Sequence, residues 1–168
     1  MESRKVYVLD TTAIISAQFE PGPVEIVTVQ EVVDEVLYGG LAPQRISTAL
    51  STQAVKLKKP SQEAVEKVRS VARETGDLPK LSKTDLAVLA VAVDEMDKGR
   101  DVYVLTDDYG LQNTALKLGL KVAGVRLGVV REIREWVFRC SVCGKIYKTP
   151  VSRCVDCGGE VGRIAKKP

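Results

Sequence analysis

The chain has 168 residues, 45% of them hydrophobic and 28% charged, with a net charge of +3 and no histidine. That length allows one domain of ordinary size plus a small module. The missing histidine excludes Ser-His-Asp and Cys-His triads, a histidine general base and a histidine-ligated catalytic zinc, so any catalysis falls to carboxylates, hydroxyls, lysines or metals.

In chain order, only the four apolar residues Val6 to Leu9 separate Lys5 from Asp10. This is too short for a signal peptide or a membrane span, so a cytoplasmic protein without membrane contact is expected. Val6-Tyr-Val-Leu9 has the length of a buried strand, and Asp10-Thr-Thr leads from it into a helical segment to Ala17. Pro21-Gly-Pro23 breaks the chain, and Ile26 to Val29 is a second β-branched run. A helix follows over Gln30 to Tyr38, with Val32, Val33, Val36 and Leu37 inward and Gly39-Gly40 as its stop. A further helix is predicted near Pro43 to Thr52, then a strand over Ala54 to Lys58. Pro60-Ser61 opens a helix that runs to Thr75 and stops at Gly76. Ser82 caps a long helix over Lys83 to Lys98 that is apolar on nearly every side between Leu86 and Val93 and must be buried. Val102 to Leu105 repeats the design of the first strand and ends in Thr106-Asp107-Asp108. A short helix near Leu111 to Leu118 and a last strand over Lys121 to Val125 complete a strand-helix alternation. Parallel strands need helical crossovers, so the body is expected to be α/β with a central parallel sheet covered on both faces.

The four cysteines of the chain all lie in its last part, as Cys140-Ser-Val-Cys143 and Cys154-Val-Asp-Cys157. Two residues between paired thiols let both sulfurs reach one tetrahedral ion, so the spacing reads as a structural zinc ribbon. Gly144 and Gly158 follow the second cysteine of each pair, where the backbone turns tightly so that amides can face the sulfurs. Two disulfides are the alternative, and they require an oxidising compartment. Residues 136–168 carry seven Lys/Arg against Asp156 and Glu160, a net +5, while the remaining eighteen cations face twenty acids in the body. A surface of that sign attracts a polyanion, or is simply a solvated basic tail.

Open α/β sheets bind ligands beyond the carboxyl ends of their strands, and two strands here end in acid, at Asp10 and at Asp107-Asp108. Asp85 stands in the first turn of the buried helix and Glu35 on the helix after the second strand. Converging carboxylates repel one another and take up protons unless cations neutralise them, and oxygen ligands select Mg2+ or Mn2+, one or two ions. Each acid also has an ordinary reading: Ser82-x-x-Asp85 is a capping-box pattern, Asp10, Asp107 and Asp108 are turn formers, and Glu35 lies off the apolar stripe.

Val8-Leu-Asp10-Thr-Thr-Ala-Ile-Ile15, Glu35-Val36, Ser82-Lys-Thr-Asp85-Leu-Ala and Leu105-Thr-Asp-Asp108-Tyr resemble the four acidic motifs of PIN-domain ribonucleases. With a four-cysteine ribbon behind the body, and Asp107 to Asn113 reading Asp-Asp-Tyr-Gly-Leu-Gln-Asn, the whole chain resembles the NOB family of endoribonucleases, in its compact archaeal form. The resemblance implies a PIN-like three-layer domain over 1–128, a linker over 129–137, a zinc ribbon over 138–162 and a basic tail over 163–168. It also implies cleavage of single-stranded precursor rRNA at the 3′ end of the small-subunit RNA, leaving a 5′ phosphate and a 3′ hydroxyl. Its partners would be that RNA, the precursor of the small ribosomal subunit and further assembly factors. Asp10, Glu35, Asp85 and Asp108 would be the catalytic acids holding magnesium or manganese, Asp107 is a rival for the fourth position, and Thr106 or Thr12 would hydrogen-bond the metal water. Cys140, Cys143, Cys154 and Cys157 would hold zinc. Arg139, Lys145, Lys148 and Arg153 would contact phosphates, with Tyr147 or Trp136 stacking on a base, unless Trp136 packs the join between body and ribbon. A non-catalytic RNA-binding assembly factor and a PIN ribonuclease acting on another RNA are the other two readings.

Overall fold

The structure is a computed structural model and describes residues 5–16, 24–38, 43–125 and 133–166. Five parallel strands form the body sheet: β1 (Lys5–Leu9), β2 (Glu25–Thr28), β3 (Lys56–Leu57), β4 (Asp101–Leu105) and β5 (Lys121–Ala123), in the order β3-β2-β1-β4-β5. The chain builds outward from β1 to one edge and then returns to lay β4 on its other side, with Val6, Val8 and Leu9 fully buried at the centre. The order reverses between β1 and β4, and at such a switch point the loops part to leave a crevice at the strand ends.

Among the described residues, six α-helices connect and cover the strands: α1 (Thr11–Ser16), α2 (Gln30–Tyr38), α3 (Pro43–Ser51), α4 (Gln62–Thr75), α5 (Lys83–Asp97) and α6 (Tyr109–Lys117). Helix α5 packs on β1 and β4, and α4 lies against α5 and α6. Every residue of α5 from Leu86 to Val93 is buried, which is why the run carries no polar face. At roughly 1.5–3 kcal/mol for each large aliphatic side chain removed from water, this helix is the main apolar anchor of the domain. Local signals fix the helix ends. Ser61 caps α4 by accepting from the Ala64 amide and is itself held by Asp94, 2.6 Å from its hydroxyl. Gly76 closes α4 at φ 73°, where an L side chain is strained.

Some expectations shift. Leu37 is 49% exposed, so the inward face of α2 is Val32, Val33 and Val36. The third strand shortens to Lys56–Leu57 at the sheet edge, with buried Val55 leading into it. Pro21-Gly-Pro23 and Gly39-Gly40 lie outside the described residues. The largest change is at the C-terminus: β6 (Trp136–Cys140), β7 (Ile146–Tyr147) and β8 (Val161–Ala165) form a separate antiparallel sheet in the order β7-β6-β8. Trp136 pairs with Ala165 and Phe138 with Arg163, so the ribbon sheet begins before residue 138 and residues 163–165 are ladder rather than loose tail. Among the described residues no helix is long and apolar enough to cross a membrane.

Candidate active site and metal centre

The acids gather at the switch point. Asp10 follows β1 directly, is 4% exposed, and caps α1 by accepting from the Ala13 amide at 2.7 Å. Thr12 donates to both of its carboxylate oxygens at 2.9 Å, and Thr106, at the end of β4, donates to Oδ2. These two hydroxyls therefore orient Asp10 itself, where the sequence reading gave them a metal-bound water. Thr106 does more, because its oxygen also accepts from the Asp108 amide at 3.0 Å, joining the first acid to the loop that carries the fourth.

Asp85 fulfils its capping-box reading and also lies near the other acids. It forms a full capping box with Ser82, taking the Ser82 amide at 2.8 Å, and it feels Asp10, Asp108 and Glu35 electrostatically. Glu35 reaches the same place from α2, where Thr11 donates to one oxygen at 2.6 Å and Thr84 to the other at 2.5 Å. A helix-surface acid was the default for Glu35, and sequence offered no cue to the two threonines that pin it beside Asp85. Asp108 caps α6 through the Leu111 amide at 2.8 Å. Its neighbour Asp107 turns the other way and accepts from the Val125 amide at 2.8 Å, bracing the loop after β4 against the end of β5.

Burial pushes the Asp10 carboxyl above its ordinary value; hydrogen bonds from Thr106, Ala13 and Thr12 oppose this, and Asp85 adds to it. Burial likewise raises Asp85, Ser82 opposes, and Asp108 and Glu35 reinforce. The raising causes are thus burial and neighbouring acids, and the opposing ones are hydroxyl and amide donors. A divalent ion held among neighbouring carboxylates would offset both the repulsion and the proton uptake. Among the described residues the only group of three or more metal-ligating atoms within 4.8 Å of one another is the four cysteine sulfurs, so the acids share the strand-end region without closing on one point.

The four thiols are free and meet in one cluster, with Sγ separations of 3.5 Å for Cys140 to Cys157 and for Cys143 to Cys154. A disulfide needs about 2.05 Å, so the two-disulfide alternative is set aside in favour of a metal-binding knuckle pair. Tyr147 lowers Cys154 to about 6, while Cys143 rises to about 12, because neighbouring thiols outweigh the Lys145 amide. Four sulfurs so placed ionise together only around a cation, which is the donor set of a tetrahedral zinc-type site. Gly144 and Gly158 adopt φ 76° and 71° as the turns require. Their amides bond the carbonyls of Cys140 and Cys154, and Val142 rather than glycine faces the Cys140 sulfur, at 3.4 Å.

Of the five residues expected to meet RNA, three are used within the ribbon. Tyr147 donates to the Cys154 sulfur at 3.0 Å and accepts from the Val155 amide, so its hydroxyl supports a metal ligand. Lys145 pairs with Asp156 at 2.8 Å, and Arg153 donates to the Gly158 carbonyl. The side chains of Arg139 and Lys148 are exposed and form no hydrogen bond or ion pair with the described residues.

Sequence reasoning offered Trp136 as packing the join between body and ribbon but missed the polar contacts that hold it. Asp77, fully buried after α4, accepts from Asn113 on α6 at 2.5 Å and from the Arg163 guanidinium on β8. Arg163 lies over the Trp136 ring at 4.3 Å, and Tyr109 meets that ring edge-on at 6.3 Å. A Cβ added to Gly76 would fall 2.8 Å from that of Trp136, so the glycine closes the helix and admits the ribbon together. Trp136 therefore packs the join. Pairing across 86 residues leaves no local pattern; the available signal was an acid just past a glycine stop with an isolated arginine in a strand-like run.

Comparison with known proteins supplies the family context. A family model described as the PIN domain of ribonuclease matches residues 7–94. Endoribonuclease Nob1 of Archaeoglobus fulgidus is 37% identical over 160 residues, covering 95% of this chain and 91% of the relative. Ribonuclease VapC1 of Thermoplasma acidophilum is 33% identical over 94% of this chain and 77% of its own length. A shorter match, 32% over 65 residues, is to the 20S-pre-rRNA D-site endonuclease NOB1 of Saccharomyces cerevisiae, covering 35% of this chain and 14% of the yeast protein.

Proposed function

We propose a function that proceeds from one premise: this chain belongs to the Nob1 family of PIN-domain endoribonucleases. It is an endoribonuclease, and its proposed reaction is metal-dependent hydrolysis of single-stranded RNA at the 3′ end of the small-subunit rRNA within the precursor subunit. The observation that carries the chemistry is the set of carboxylates at the ends of β1 and β4, with Asp10 and Asp85 raised by burial and by neighbouring acids. The rRNA assignment is supported by the Nob1 relationship and by the substrate named for the yeast relative.

In this reading Asp10, Asp85 and Asp108 hold Mg2+ or Mn2+, Glu35 completes the cluster, and the ribbon cysteines hold zinc. A bound divalent ion lowers the pKa of a water and offsets charge on the transferring phosphoryl group. The residues of the chain supply the geometry. Thr12 and Thr106 fix the Asp10 carboxylate, the second bond of Thr106 sets the height of Asp108, and Thr11 with Thr84 turn Glu35 toward Asp85. Groups held this way before substrate arrives need little reorganisation in the transition state.

The test is incubation of the zinc-loaded chain with a precursor rRNA fragment that spans the mature 3′ end, with Mn2+ or Mg2+, and mapping of the cut. Cleavage at that end supports the proposal. A second reading, a PIN ribonuclease acting on another RNA, is favoured by the match to Ribonuclease VapC1 over 94% of this chain. Metal-dependent cutting of other RNAs with the precursor end left intact would select it.

A further inference from the structure

A groove of about 250 Å3 opens where body and ribbon meet. Arg73, Leu78 and Pro79 form its body wall, and Phe138, Lys148 and Pro150 its ribbon wall. The walls belong to different units, yet their spacing is fixed by the joint beside them, where Arg163 reaches buried Asp77 and Trp136 packs on Gly76. A groove held open by a buried ion pair stands ready in the unliganded chain.

Its chemistry is divided. The interior is apolar, while the side chains of Arg73 and Lys148 at the rim are exposed and make no hydrogen bond or ion pair with the described residues. An apolar slot favours a flat, uncharged ring, and the free cations favour anions tethered on either side. A nucleobase between two phosphates has that pattern, whereas an apolar peptide side chain leaves both cations unmatched. Size limits the occupant further. A volume of about 250 Å3 lies below the roughly 300–1,000 Å3 of pockets that engulf a whole ligand, so it suits one base with its sugar and phosphates outside. Thr149, exposed on the ribbon wall, offers a hydroxyl to the base edge.

The groove also adjoins the acidic cleft. The turn that carries Leu78 and Pro79 runs through Leu81 into Ser82 and Asp85. A Cβ at Gly110 would sit 3.4 Å from Asp108 Oδ1, 3.9 Å from Asp77 Oδ1 and 3.9 Å from Leu81, so the joint and the fourth acid share one small region. We propose that this groove binds one unstacked nucleobase of a single-stranded RNA, with Arg73 and Lys148 on the flanking phosphates. The assignment rests on the RNA-cleaving reading above and adds to it a base-gripping subsite between body and ribbon.

The test compares a short oligoadenylate with an abasic ribose-phosphate oligomer of equal length, each titrated with the full zinc-loaded chain and no added Mg2+ or Mn2+. The parent should prefer the base-bearing probe by about tenfold, the scale of one stacked base. Thr149→Trp and Leu78→Trp fill the groove from opposite walls; each should erase the preference while leaving affinity for the abasic probe unchanged. Two variants guard against one that fails to fold, with zinc content and melting temperature as checks. Arg73→Glu with Lys148→Glu should weaken both probes and reduce the slope of log affinity against log salt by about 1.4. Retention of the base preference in both filled variants overturns the assignment and leaves the groove to a protein segment; equal weakening of both probes also overturns it. Failure of the parent to bind either probe would instead strike at the RNA reading as a whole.

Discussion

Arg163→Ala should destabilise the body, although the residue belongs to the ribbon. Asp77 is fully buried and takes its charge compensation from Arg163, with Asn113 as its second donor. Removing one partner of a buried pair costs about 3–5 kcal/mol, since the remaining charge keeps its desolvation penalty. The guanidinium is 21% exposed and Asn113 still donates, so the loss belongs near 3 kcal/mol. Leaving the Trp136 face uncovered adds about 0.5–1 kcal/mol. At roughly 2–4 °C for each kcal/mol in a chain of this size, the midpoint should fall by about 10 °C. The assay is thermal unfolding of the zinc-loaded protein at neutral pH, followed by far-UV circular dichroism and by the fluorescence of its single tryptophan. Asp77→Asn should cost less, about 1–2 kcal/mol, because the guanidinium, 21% exposed, keeps one side on water whereas Asp77 has none. A change under about 1 kcal/mol for Arg163→Ala would refute the reasoning and leave body and ribbon independent.

Asp10→Asn should lower metal-dependent cleavage at least about a hundredfold, a loss of several kcal/mol of transition-state stabilisation, yet raise the melting temperature in chelator because a repelling buried charge is gone. Undiminished cleavage counts against the metal mechanism. Asp108→Asn should impair cleavage more than Asp107→Asn, because Asp108 faces Asp85 whereas Asp107 is turned to the Val125 amide; the reverse order would reassign the fourth acid. Asp10 and Asp85 have folded pKa values above 3.8, so the stability of the metal-free protein should fall as pH rises through those raised values. Mg2+ or Mn2+ should restore it, and cleavage at limiting metal should be lost in the opposite direction, as pH falls through the same values; melting curves and initial rates against pH check both signs. Metal analysis should find one zinc per chain, and stripping it should unfold the ribbon sheet and also lower the body transition, since Arg163 leaves with β8.

How far the sequence could be read depends on the range of the interactions involved. Helices with a serine at one end and a glycine at the other, such as α4, were legible because their caps bond within a few residues. The buried character of α5 was legible from composition alone. The acids were legible as strand-end residues, and the cysteines by their spacing. What stayed hidden was set by partners distant in sequence. Glu35 lies off the apolar stripe, and its sequence neighbours do not show that Thr84, 49 residues on, donates to it, nor does the run after β4 show that Thr106 donates to Asp10, 96 residues back. Strand β8 looked like a loose basic end because its order comes from pairing with Trp136–Cys140, which the cysteine knuckles bring alongside.

Helix α6 shows why those hidden contacts bear on function. Asp108 caps it, so the position of the fourth acid is the position of the helix N-terminus. The face of the same helix holds the ribbon, with Tyr109 on Trp136 and Asn113 bonded to Asp77, to the Arg134 carbonyl at 2.8 Å and from the Arg134 amide at 2.8 Å. A nine-residue helix is too short to bend between its two ends, so a shift of the ribbon joint moves Asp108 with it. The ribbon is then a poor candidate for a detachable RNA handle. Cutting the chain at residue 135 would remove Trp136 and Arg163, strand the Asp77 carboxylate and release α6 from one side. Weakened cleavage by such a fragment is therefore an expected consequence of active-site disorder as well as of lost RNA affinity. The rate at saturating RNA separates the two contributions, because lost affinity alone leaves that rate intact.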